Sequence, residues 1–286
     1  MWIGISIPPP LSQVQTTFPL WHYISVVAKS TVDFFLILSG FGLYRSQSKK
    51  NLIPLKFLKR RCLQIYPTYW IIFLIFVPLT LLLTDRTLEA AYGDNIITKT
   101  IATFFGLQIY LGTYGYNPTW WFMSILLPYY LFFPVFFFMA ERRYILEIFF
   151  YALFLVNIKQ IYLITPVLQH FLLSFILGII LAKHRTLEKW LLLPHINLLS
   201  VFMCFFLVIL HLYQSTEWGN TLSSDSFLIL FLIFPTLSLA SWSDIIHKIL
   251  RLMGEHSYSM FLFHTFINAF LLHSIVYVFM LQRIPF

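Results

Sequence analysis

VDFFLILSGFGLY (Val32–Tyr44) and, twelve residues on, KFLKRRCLQIYPTYW (Lys56–Trp70) decide the fold. The first is an apolar run long enough to be helical, carrying one acid, Asp33, and a Ser39-Gly40 break. The second is a dense basic stretch that runs, through Pro67, into the next apolar segment. Apolar spans alternating with short charged connections mark a chain whose solvent is lipid.

Composition supports that reading. Hydrophobic residues make up 59% and charged residues 10% of 286, against about 25% charged in a soluble domain. Mean hydropathy is +0.79. A single soluble core cannot hide that much apolar side chain, so the excess faces lipid. The net charge of +8 does not indicate nucleic acid, because the basic residues sit in short connections between apolar spans, where a membrane protein keeps its cytoplasmic positive charge. Cys62 and Cys204 lack the spacing of a disulfide framework or a zinc site and read as buried thiols. No metal site is expected.

About 20 mostly apolar residues cross a bilayer. Candidate spans fall at 23–44, 62–83, 120–139, 145–164, 166–182, 194–213, 226–243 and 257–281. The stretch 100–116, interrupted by Gly106, Gly112 and Gly115, reads as re-entrant or interfacial. The expected fold is therefore all-α, a polytopic transmembrane helix bundle of about eight to nine spans. Arg45, Lys49, Lys50, Lys56, Lys59, Arg60 and Arg61 crowd the first connection, and placing basic connections inside agrees with eight crossings. Two regions follow. Residues 1–21 form a loop-like extracytoplasmic segment without the pattern of a secretory signal, and 22–286 form one membrane domain.

Several residues could carry chemistry. A carboxylate in the hydrocarbon region costs roughly 2.5–3.5 kcal/mol on insertion scales, so Asp33 either pairs with Lys29, one turn earlier, or lines a substrate path together with Ser39. Arg60 and Arg61 suit phosphate, which a guanidinium binds through two parallel hydrogen bonds. A basic cluster is also what topology alone demands. Pro67 either starts a helix or lies inside one that begins earlier. His264, in GEHSYSMFLFH, is an intramembrane His with a pKa suited to proton transfer, or else a buried His satisfied by a backbone carbonyl. His256 is expected in a cytoplasmic connection. Trp120 and Trp121 are read as boundary anchors, with stacking on a sugar ring as the alternative. No GxSxG, HExxH, P-loop or Rossmann pattern occurs.

Five segments in order resemble the acyltransferase-3 family: the two quoted above, PTWWFMSILLPYYLFFP (Pro118–Pro134), HFLLSFILGIILAKH (His170–His184) and GEHSYSMFLFH (Gly254–His264). The resemblance implies an integral membrane O-acyltransferase of the cell inner membrane. Such an enzyme moves an acyl group, often acetyl, from acyl-CoA (acetyl-CoA) to a hydroxyl of an envelope carbohydrate or lipid-linked sugar. It assigns donor binding to Arg60, Arg61 and Gln64. The family's second arginine of an Arg-x-x-Arg motif is replaced here by Gln64, which offers no charge to a phosphate. The resemblance also implies an earlier helix bearing an Arg and a catalytic His. No segment ahead of Val32 matches it, so an N-terminally shortened or alternatively started chain is expected, and His264 stands as the catalytic candidate. Both departures leave a weak or inactive protein in view. A transporter of an envelope precursor, with Asp33 and His264 lining a path, and a non-catalytic remnant are the alternatives.

Overall fold

The computed structural model describes residues 31–83, 87–113, 116–142, 144–157, 166–184, 193–214, 224–241 and 243–281. Met1–Trp21 and Lys29 lie outside these residues. Among the described residues the chain is helical, without strands. The helices are α1 (Thr31–Gln47), α2 (Pro54–Leu83), α3 (Leu88–Tyr92), α4 (Ile96–Phe104), α5 (Trp121–Glu141), α6 (Ile145–Asn157), α7 (Pro166–Lys183), α8 (Pro194–Gln214), α9 (Ser224–Ser241) and α10 (Asp244–Leu281). Short 3-10 turns at Gln108–Leu111 and Pro118–Trp120 connect α4 to α5.

Two of these helices, over Pro54–Leu82 and Trp121–Glu141, are long and apolar enough to cross a bilayer. Their surfaces agree with that role. On α2 Leu74 is 61% and Leu82 is 82% exposed, and on α5 Leu131 is 57% exposed, as expected of helices whose outer faces meet lipid.

Two elements start earlier than the charge pattern predicts. The second span is expected to begin near residue 62, but α2 begins at Pro54, so Lys56, Lys59, Arg60 and Arg61 form its first turns and only 48–53 is a connection. Pro54 sits at the first helical position, where its missing N–H costs nothing, and Lys, Arg and Leu then propagate the helix well. Pro67 therefore lies inside the helix. Likewise α10 begins at Asp244, so His256, Lys248 and Arg251 are helical rather than part of a loop. At 1.5 Å per residue its 38 residues reach about 57 Å, nearly twice a hydrocarbon core of about 30 Å.

Packing divides the chain into two compact units. The first comprises the described parts of Met1–Asn51 and Val135–Asp244. Here α1 crosses α7, and α9 packs on both. The crossing is set by two glycines. A Cβ on Gly40 would overlap the carbonyl oxygen of Phe175, and one on Gly178 would overlap that of Ile37. Backbones approach this closely only when neither residue carries a side chain. Around the crossing, Ile37, Leu181, Ile229, Ile233 and Phe234 form an apolar core. At the end of α1, the Tyr44 hydroxyl donates to Glu141 at 2.6 Å.

The second unit comprises Leu52–Pro134 and the described part of Ile245–Phe286. Tyr69, Phe73, Trp120 and Phe266 interlock as an aromatic core, with centroids 5.3–5.7 Å apart for Trp120 against each of the other three. The 100–116 stretch is not a crossing helix. Instead α4 ends beside the middle of α2, and its last carbonyls meet donors from one face of that helix. Trp70 Nε1 donates to Phe104 O at 3.0 Å, the Tyr66 hydroxyl to Phe105 O at 3.0 Å, and the Tyr69 hydroxyl to Thr103 O. A helix end leaves four carbonyls without intrahelical partners. Non-helical backbone at membrane depth survives only where protein groups satisfy it. The YPTYW run of α2 supplies those groups.

Candidate functional site

The structure sorts the five family-like segments by packing partner. The first and fourth meet in the first unit, through Gly40 and Gly178 and through Asp33 and Ser174. The second, third and fifth meet in the second unit. The Tyr258 hydroxyl lies 3.3 Å from the Ile65 carbonyl and 2.9 Å from Met123 Sδ. The candidate residues divide the same way: Asp33 and Ser39 belong to the first unit, and Arg60, Arg61, Gln64 and His264 to the second.

Asp33 is 1% exposed. Its Oδ1 accepts from the hydroxyl of Ser174 on α7 and from that of Ser226 on α9 at 3.3 Å. The two serine oxygens are 2.7 Å apart. This polar knot, linking three helices, offsets part of the cost of burying the carboxyl group through Oδ1, while Oδ2 has no hydrogen-bond partner among the described residues. Ser174 lies within the fourth family-like segment, yet the sequence does not single it out, because a lone Ser in an apolar run signals nothing without its partner. Ser39, next to Gly40, is half-buried.

Arg61 is half-buried on α2. Its Nη1 donates to Gln64 Oε1 at 2.9 Å, and its guanidinium carbon lies 5.4 Å from the Phe57 ring centroid. Gln64 thus holds the guanidinium one turn away on the same helix face. Arg60, Lys59 and Lys56 are exposed beside it. Cys62 is exposed in the same turns, not buried as expected, because the side chains on that face of α2 point outward.

His264 is exposed rather than buried. Its Nδ1 lies 2.8 Å from the Phe261 carbonyl. A carbonyl can only accept, so Nδ1 is the donor in this contact and Nε2 is the ring nitrogen not engaged by it. The rotation of α10 is fixed by its inner face. Asn117 Nδ2 donates to Leu262 O at 3.3 Å, Trp120 Nε1 donates to the same carbonyl at 3.1 Å, and the Thr265 hydroxyl donates to Asn117 Oδ1 at 2.8 Å. With Leu262, Thr265 and Phe266 inward, His264 falls on the other face. Trp120 is correspondingly not a boundary anchor. It is fully buried, because its indole N–H finds a helix carbonyl in the interior. Among the described residues no cluster of His, Cys, Asp and Glu could hold a metal.

Among the described residues the chain is helical, with apolar spans exposed and a basic helix start, which is the character of a helical membrane protein. The acyltransferase domain of the acyltransferase-3 family matches residues 3–283, and the chain belongs to that family. No curated protein matches it, and no solved structure matches it.

Proposed function

We propose that the protein is an inner-membrane O-acyltransferase that takes an acyl group, most simply acetyl, from acyl-CoA and places it on a hydroxyl of an envelope carbohydrate or lipid-linked sugar. The observation that carries this reading beyond the family is the held guanidinium of Arg61. Gln64 and Phe57 fix it, and Arg60 and Lys59 add charge nearby. Such a group suits the phosphates of a coenzyme A donor. Gln64 compensates for the second arginine by orienting the first rather than by supplying charge.

In this mechanism the acceptor hydroxyl attacks the thioester carbonyl. The C–O bond forms, the C–S bond breaks, and the hydroxyl proton leaves to a base while the thiolate of coenzyme A departs and is protonated. His264 Nε2 is the proposed proton acceptor, since Nδ1 is engaged with the Phe261 carbonyl. The transport alternative gains no support from Asp33, whose Oδ1 is engaged inside a tight helix crossing.

The test is transfer of radiolabel from acetyl-CoA to envelope carbohydrate by membranes containing this chain. Transfer that falls at least tenfold in Arg61→Ala agrees with the proposal. Transfer unchanged in Arg61→Ala removes Arg61 from the mechanism, and no transfer by the wild-type chain favours the non-catalytic remnant.

A further inference from the structure

Gln108 is the one residue of its 3-10 turn that faces inward. Its neighbours Leu107, Tyr110 and Leu111 are 43%, 40% and 44% exposed, whereas Gln108 is fully buried. Among the described residues neither Oε1 nor Nε2 of Gln108 has a hydrogen-bond partner, and the same holds for Oγ of Ser124, which is 1% exposed. The two residues belong to packed segments: the Tyr110 hydroxyl donates to the Ser124 carbonyl at 2.7 Å, and Gly106 abuts Met123.

Burying an amide without partners costs roughly 2–7 kcal/mol. A rearrangement that gave Gln108 hydrogen-bond partners would recover that cost. Glycines flank the turn that carries it. Gly106 and Gly112 bracket the turn with φ of +71° and +64°, a region open to glycine and strained for other residues. Tyr110 is the side-chain latch between the hinges.

We infer that Gly106–Gly112 is a hinged strap that opens to present Gln108 and Ser124 as a subsite for a neutral, hydroxyl-bearing group of the acceptor. The ligand class follows from the donor set. A primary amide offers a donor and an acceptor side by side, matching two adjacent hydroxyls of a sugar. The Ser124 hydroxyl offers one more of each. Gln108, Ser124 and Tyr110 are all uncharged, so they give no counter-charge to a phosphate or carboxylate. With basic connections inside, the α4 stretch enters from the outer side, where an envelope acceptor arrives. The inference rests on the acyltransferase reading and names the acceptor end of that site.

The test uses the full chain in phospholipid nanodiscs and tritiated octyl glucoside below its micellar concentration, counting only label displaced by excess unlabelled probe. An octyl oligoethylene glycol serves as the sugar-free control. The expected result is saturable, sugar-dependent binding whose Kd rises at least tenfold in Gln108→Leu, with a melting temperature no lower than wild type because an unpartnered amide has been removed. Gln108→Met serves if the leucine variant fails to fold. Tyr110→Phe, which frees the latch, is expected to tighten binding. Absence of saturable binding by the wild type overturns the inference, as does equal binding by Gln108→Leu. Acetyl transfer is scored separately, so its failure strikes the acyltransferase reading without deciding the binding result.

Discussion

The indole N–H of Trp120 donates to the carbonyl of Leu262, 3.1 Å away and 142 residues later in the chain. This bond and that of Asn117 to the same carbonyl join the start of α5 to the middle of α10. Trp120→Phe keeps an aromatic ring in the core but loses the bond and some volume. The expected cost is about 1–3 kcal/mol, seen as a lower melting temperature in detergent.

The glycine crossing gives a sharper prediction. Because Gly40 and Gly178 each lie against a backbone carbonyl, neither neighbour can give way as a flexible side chain would. Gly40→Ala or Gly178→Ala is expected to cost about 1–3 kcal/mol or more by overpacking. At Gly42 an added Cβ would meet nothing within 4 Å, so this position is expected to accept Ala with no steric penalty. Thermal unfolding of the three variants compares them directly.

Asp33 acts on the same crossing through hydrogen bonds. Asp33→Asn retains an acceptor oxygen for Ser174 and Ser226 and is expected to stay within about 1 kcal/mol of wild type. Asp33→Ala removes the acceptor and leaves two buried hydroxyls to find other partners, at about 1–3 kcal/mol. Equal melting temperatures for the two variants would refute the structural importance of the knot.

Trp70→Phe tests the capping of α4. It leaves the Phe104 carbonyl without the indole donor, at an expected cost of about 1–3 kcal/mol. Hydrogen exchange is expected to quicken in Ile96–Leu111 before the rest of the second unit.

Gln64→Leu separates holding from charge at the proposed donor site. The variant keeps Arg61 but releases its guanidinium. The KM for acetyl-CoA is expected to rise severalfold, less than in Arg61→Ala, with no change in melting temperature because Gln64 is exposed. An unchanged KM would leave Gln64 without a role in donor binding.

Composition and the run of apolar segments were enough to place the chain in a membrane and to make it helical, because both follow from the cost of exposing polar backbone to lipid. The five ordered segments were enough to point to the family, since each is local in the chain. Helix starts were harder to read. Lys56–Arg61 looks like a loop by charge, yet its helix propensity and Pro54 carry α2 through it. The tertiary structure alone decided that Gly40 has its counterpart in Gly178, that Asp33 is answered by Ser174 and Ser226, that Trp120 is core and His264 exposed, and that Tyr66, Tyr69 and Trp70 cap α4. Each of those relations joins residues from 34 to 193 positions apart or depends on the rotation of a helix. Periodicity records which residues of one segment share a face; only packing fixes which other segment that face meets.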